Sequence, residues 1–153
     1  MAEEEGLEEG GIRCSLPEGR KRFFPVEYRE SVEQPSGQYP LRILARGFHY
    51  HYGIGTHIKR AEGLAKVFPE SCIEVHPADA QQAGIGNGDK VKVSSPRGEV
   101  ETVCCISENV PRGTAYFAAT FFPVFVNNLL TTTYDPVSHN PEYKVFVGKV
   151  EKR

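Results

Sequence analysis

Nowhere do the 153 residues offer the roughly 20 consecutive apolar side chains of a membrane-spanning helix. The start, MAEEEGLEEGG, has neither the basic end nor the apolar run of a secretory leader. Cysteine is sparse. Cys14, Cys72, Cys104 and Cys105 include no CxxC spacing and make no disulfide framework, so reduced thiols in a cytoplasmic setting are expected. On a strand, Cys104 and Cys105 would point to opposite faces and could not clamp one ion. A GxxxxGK[ST] phosphate loop is missing, and so is any Gly-Ser pair that could rearrange to a pyruvoyl group. Charge of one sign is lacking too. The net charge is −2, and five of the 20 acidic residues lie in the first eleven positions, leaving 18 basic against 15 acidic. That balance gives no reason to expect nucleic acid or an anionic membrane as partner.

What is present suffices for one packed domain: 39% apolar and 25% charged residues in a chain of single-domain length. Residues 1–22 are acidic and glycine-rich with few apolar anchors, and read as a flexible tail. Residues 23–38 read as a linker that docks on the folded body through Phe23, Phe24, Pro25, Val26 and Tyr28, followed by a polar joint from Glu33 to Gly37. The domain proper then covers residues 39–153. Leu41, Ile43 and Ala45 alternate with other neighbours, as do Val91 and Val93, which is strand periodicity. Ser95-Pro96-Arg97-Gly98 is turn chemistry and predicts a hairpin into GEVETVCCI. A second turn at residues 109–113 precedes the apolar run 114–126, and residues 143–150 read as a last strand. One helix is clear: Pro77 suits a first turn, residues 78–83 are good formers, and Gly84 supplies a left-handed stop. A weaker helix is expected over residues 60–67. No internal repeat at a fixed period is evident. The pattern predicts a mainly β protein, a closed barrel with one or two short helices.

Four segments, in order, resemble the carboxy-terminal molybdopterin dinucleotide-binding domain of the molybdenum- and tungsten-dependent formate dehydrogenases. These are KRFFPVEY at 21–28, HYHYGIGTHIKRAEGL at 49–64, EVHPADAQQAGIGNGDKVKVSSPRGEV at 74–100 and NNLLTTTYDPVSHNPEYKVFVGKVEK at 127–152. The resemblance covers residues 23–152. Its central piece is common to many barrels; the closing Asn-x-Leu, Asp-Pro and Pro-Glu-Tyr-Lys elements are much more specific. It implies a six-stranded double-psi β-barrel that binds molybdopterin guanine dinucleotide. It also implies a large catalytic subunit, or the remainder of a parent chain, that holds the metal and supplies the catalytic residues. Isolated, the chain is expected to be inactive.

A dinucleotide of this kind offers a pyrophosphate, ribose hydroxyls and two polar ring edges. Backbone N–H groups and cations suit the phosphates, and amides, hydroxyls and phenols suit the rings. Gly53-Ile54-Gly55-Thr56 permits close backbone approach and adds a hydroxyl. Asn127 offers paired bonds through one amide, Lys144 a point charge, and Tyr143 a flat face with a donor. The resemblance implies His51, Tyr52, Gly55, Thr56, Asn127, Tyr143 and Lys144 as cofactor-binding residues. Each also has a local reading: His49, His51, Tyr50 and Tyr52 as alternating strand residues, Thr56 as a helix cap, Asn127 as a turn residue, and Lys144 as solvated.

Several positions depart from the family pattern. Its Gly-Arg is Arg46-Gly47 here, which on a strand turns the cation to the other face. Thr-x-Thr becomes Thr56-His57-Ile58, and Thr120 and His139 replace the usual residues at two further places. Two rival readings remain. His49-x-His51 could share a metal with His57, His76 or Glu62, though no spacing demands it. A double-psi barrel could also act as a protein-interaction module that no longer binds cofactor, with Phe121, Phe122, Val124, Phe125 and Val126 forming a contact surface.

Overall fold

The computed structural model describes Pro25 and residues 27–47, 60–67, 70–118, 124–136, 138–140, 142 and 144–153. Contacts divide the chain into two units, Met1–Glu30 and Ser31–Arg153. Of the first unit, Pro25 and residues 27–30 are described, and all are exposed. The tail at 1–22, with Phe23, Phe24 and Val26, lies outside the described residues.

The second unit runs β1 (Leu41–Arg46), α1 (Glu62–Val67), β2 (Cys72–Val75), α2 (Pro77–Gln82), β3 (Lys90–Ser95), β4 (Gly98–Ile106), β5 (Thr114–Ala118), a 3-10 turn (Val126–Asn128) and β6 (Val145–Lys152). The six strands close into a barrel in the order β1-β5-β2-β4-β3-β6. Exchanging β1 with β4, β2 with β5 and β3 with β6 maps each pairing onto one of the same sense. Parallel β1–β5 goes onto parallel β4–β2, and antiparallel β1–β6 onto antiparallel β4–β3. The antiparallel pairs β2–β5 and β3–β6 map onto themselves. This two-fold interlocking is the double-psi barrel.

Alternation along the strands explains the core. Leu41 and Ile43 of β1, Val91 and Val93 of β3, and Ala115 and Phe117 of β5 point inward with Phe146 and Val150 of β6. Cys104 is fully buried while Cys105 is partly exposed, so the adjacent thiols do face opposite ways. The expected hairpin forms with Ser95 opposite Gly98. Strand β2 was not anticipated: CIEV is four residues long and three are buried, so it shows no alternation.

Helix α2 begins and ends where its sequence dictates. His76 Nδ1 accepts the Ala78 N–H at 3.1 Å, and Pro77 occupies the first position, where its missing donor is no loss. At the other end Gly84 takes φ +67°, while the Ile85 N–H reaches the Ala80 carbonyl and the Gly84 N–H the Gln81 carbonyl. This is a Schellman stop, and it buries Ile85 beside Ala80.

Candidate functional site

Strands β1 and β5 finish at the barrel end where β2, β4 and β6 begin, as their registers require. Two expected site residues are described at this loop end. The Ala45 N–H, at the close of β1, donates to the Lys144 carbonyl at 2.8 Å. That bond pins the backbone of Lys144 beside the point where the chain leaves β1, and its side chain is exposed. Asn127 lies in the 3-10 turn and is exposed. Neither side chain has a hydrogen-bond or ionic partner among the described residues.

The Asn127 turn is held from several directions. Within it, Asn128 donates to the Phe125 carbonyl, Leu129 to Val126 and Leu130 to Asn127. Val126 and Leu129 are buried in the core. The β3–β4 hairpin grips it from outside: Arg97 Nε donates to the Leu129 carbonyl at 3.1 Å. The same guanidinium forks onto Glu33, with Nη1 on Oε1 and Nη2 on Oε2 at 2.9 Å. Glu33 Oε2 also accepts the Val147 N–H of β6 at 3.5 Å. The Arg97 hydrogen bond and charge hold the Glu33 carboxyl below its ordinary range against the opposing effect of burial. Gly98 permits this close approach: a β-carbon there would lie 3.0 Å from the Asn128 carbonyl oxygen, and the turn backbone would have to give way. This clamp was missed in sequence. Arg97 read only as turn chemistry and Glu33 as linker, and no spacing signals a pair 64 residues apart.

Beyond the turn, the closing segment folds on itself. Asp135 accepts both the Ser138 N–H at 2.6 Å and the Ser138 hydroxyl at 2.8 Å. Asp135 donates to Asn140, His139 to Asp135, and Glu142 to Thr133, all through backbone atoms. The reversal puts His139 at φ 55°, a left-handed conformation that His tolerates better than most side chains. Asp135 and Glu142, two of the residues that make the closing motif specific, therefore take part in shaping this tongue.

Arg46 behaves as its displaced position predicts. It lies on the outer wall, ion-paired with Glu74 of β2, and its guanidinium sits 5.1 Å from the centroid of the Tyr116 ring of β5. Cys72 adjoins this patch. Burial, reinforced by Cys105, pushes its thiol up to about 12, and burial pushes Cys104 to about 11. Both are poor nucleophiles at neutral pH.

His51, Tyr52, Gly55, Thr56 and Tyr143 lie outside the described residues, as do His49, His57 and Thr120. Among the described residues no three His, Cys, Asp or Glu side chains are grouped to hold a metal. Of the apolar stretch named as a contact surface, Val126 is buried, Val124 packs on the core and Phe125 is half exposed; Phe121 and Phe122 are not described. No helix among the described residues is long and apolar enough to cross a membrane.

Fold and loop end together define a double-psi barrel that carries an amide and an ammonium, both open to solvent, on the connections at one end. Residues 42–147 match the family described as "Molydopterin dinucleotide binding domain", and the chain belongs to that family. Its relatives include F420-dependent formate dehydrogenase 1 subunit alpha of Methanococcus maripaludis, 35% identical over 92% of this chain and 21% of the relative. The formate dehydrogenase 2 subunit alpha of the same organism is 37% identical over 89% of this chain. That of Methanocaldococcus jannaschii is 37% identical over 88%. The chain spans about a fifth of the length of these relatives. Acetylene hydratase from Pelobacter acetylenicus superposes with a TM-score of 0.65 at 19% identity, covering 75% of this chain and 18% of that one, a likeness of fold.

Proposed function

We propose that this chain is the cofactor-holding domain or subunit of a formate-dehydrogenase-like oxidoreductase and binds molybdopterin guanine dinucleotide at its loop end. The family match over residues 42–147 carries the reading. The donor chemistry fits the group: the Asn127 amide has no partner among the described residues and suits a polar ring edge, and the exposed Lys144 ammonium suits phosphate. His51, Tyr52, Gly55, Thr56 and Tyr143 complete the proposed surface. When bound, the group supplies a redox metal, molybdenum or tungsten, and with it the electron transfer. The chain's own part is to bind, orient and shield one side of the cofactor. A larger partner, or the rest of a parent chain, supplies substrate recognition and the electron relay. Cytoplasmic location belongs to the same proposal, supported by the free thiols of Cys72, Cys104 and Cys105.

A dye-linked formate oxidation assay tests this division of labour. Turnover is expected only when the large partner or parent chain is present, because positioning and electrostatic stabilisation by other domains each lower the barrier by several kcal/mol, roughly. Robust turnover by the 153-residue chain alone, with contaminating enzyme excluded, overturns it.

A further inference from the structure

The Arg97 guanidinium joins three parts of the unit that are distant in sequence. It sits on the β3–β4 turn, takes both oxygens of Glu33 ahead of the barrel, and donates to the Leu129 carbonyl that closes the Asn127 turn. The Arg97 N–H is fixed in turn by the Ser95 hydroxyl at 3.2 Å. Both charged side chains are largely withdrawn from solvent, at 23% and 22% exposure, so the pair is more than a surface ion pair. Asn127 itself is exposed, and its own side chain makes no bond that would hold the turn. The turn is thus gripped from one side by buried Val126 and Leu129, and from the other, among the described residues, by Arg97.

We propose that Arg97, anchored by Glu33, is a positioning residue that holds the Asn127 amide for a 2-amino-4-oxo ring edge of the dinucleotide. The proposal rests on the functional reading above. The chemistry is specific. A carboxamide presents one acceptor beside one donor, and that edge presents a ring N–H beside a carbonyl oxygen. Two bonds form together only when the amide plane is fixed, which a loosely held turn does not provide. Guanine and the pterin share this edge, so either end of the cofactor is a source of it. The fork matters as well as the charge. Lysine at position 97 carries all its donors on one nitrogen and lacks the planar fork that spans both Glu33 oxygens and the Leu129 carbonyl.

The test uses the 153-residue chain with GDP and neopterin as separate probes, and the variants Arg97→Lys, Glu33→Gln and Asn127→Ala. Amide hydrogen exchange is followed at Asn128, Leu129 and Leu130, with Val91 and Val93 as barrel references. Asn127→Ala is expected to weaken one of the two probes about tenfold, and the affected probe identifies which ring Asn127 faces. Arg97→Lys and Glu33→Gln are each expected to weaken the same probe about threefold to tenfold. They should speed exchange in the turn while the barrel amides stay protected. In the Asn127→Ala background neither should weaken the probe further, a non-additivity that a merely stabilising role would not produce. If Asn127→Ala weakens a probe but the Arg97 and Glu33 variants do not, the positioning role is wrong and the functional reading stands. Additive losses in the double variants refute the positioning role in the same way. If neither probe binds, or Asn127→Ala changes neither, the reading of Asn127 fails and takes this proposal with it.

Discussion

Replacing Gly148 with alanine probes the barrel wall at a point that has no slack. Gly148 lies opposite Leu41 of β1, in the inward register it shares with Phe146 and Val150 of β6. A β-carbon there would come within 2.6 Å of Ile43 Cδ1 and 2.8 Å of the Ser94 carbonyl oxygen. The first contact is the end of a side chain, but Ile43 is fully buried and has little room to turn. The second is backbone of the neighbouring strand and yields only if β3 and β6 move apart. Overpacking of this kind costs about 1–3 kcal/mol. Alanine recovers about 0.5–1 kcal/mol of that, because glycine loses more backbone freedom on folding. The net expectation is a loss of about 1–2 kcal/mol, or roughly 4–8 °C in Tm for a unit of this size. Urea unfolding at equilibrium measures it. The variant Ile43→Val, which removes Cδ1 at a cost of about 0.5–1.5 kcal/mol, separates the two clashes. If the side-chain contact dominates, Gly148→Ala costs less in that background; if the carbonyl dominates, the cost is unchanged. A Gly148→Ala protein as stable as the parent would refute this account of how β6 packs.

Acid titration should reveal the Glu33–Arg97 clamp. The Glu33 carboxyl is depressed, so its contribution is fully present above the ordinary carboxylate range near ~4.3 and is lost as pH falls through its lower folded value. The stability difference between the parent and Glu33→Gln, about 1–2 kcal/mol at neutral pH for a pair so placed, should therefore shrink in acid; a difference that persists or grows contradicts the pairing. Cys72 and Cys104 should resist alkylation in the native chain at pH 8, since thiols near 12 and 11 are thiolate in only about one molecule in ten thousand and one in a thousand. Mass spectrometry after iodoacetamide would read this, and labelling of Cys104 as fast as in the denatured chain would be inconsistent with its burial. Gly84→Ala should cost about 1–2 kcal/mol by forcing a side chain to φ +67°, measurable by thermal unfolding; an unchanged Tm would mean the Schellman stop is not required.

The sequence made the local structure plain wherever one short stretch carried its own signal. Pro77 and Gly84 bounded α2, Ser95-Pro96-Arg97-Gly98 announced the hairpin, and alternating Leu41 and Ile43 marked β1. Where pairing is long-range, residues gave less. The two-fold exchange of β1β2β3 with β4β5β6 has no counterpart as a sequence repeat, because it resides in hydrogen-bond partners rather than side-chain identities. The barrel topology was reached through the resembling segments, not through periodicity. Arg46 was legible as a displaced cation, and its partners Glu74 and Tyr116 explain where it went, across two neighbouring strands. The Glu33–Arg97 clamp was illegible for the same reason β2 was. Its meaning depends on what the closed barrel brings alongside, and no local pattern records that.

The central claim is that this barrel holds a molybdopterin dinucleotide, and cofactor content tests it most directly. Protein purified from its own source, with any larger partner or parent chain attached, is oxidised in acid, and the released pterin is read by fluorescence beside the guanine nucleotide freed on hydrolysis. The account predicts both, in equal amounts and in stoichiometric proportion to the chain, with both reduced in Asn127→Ala protein that remains folded. A folded, partner-bound protein that yields neither pterin nor guanine nucleotide would contradict it.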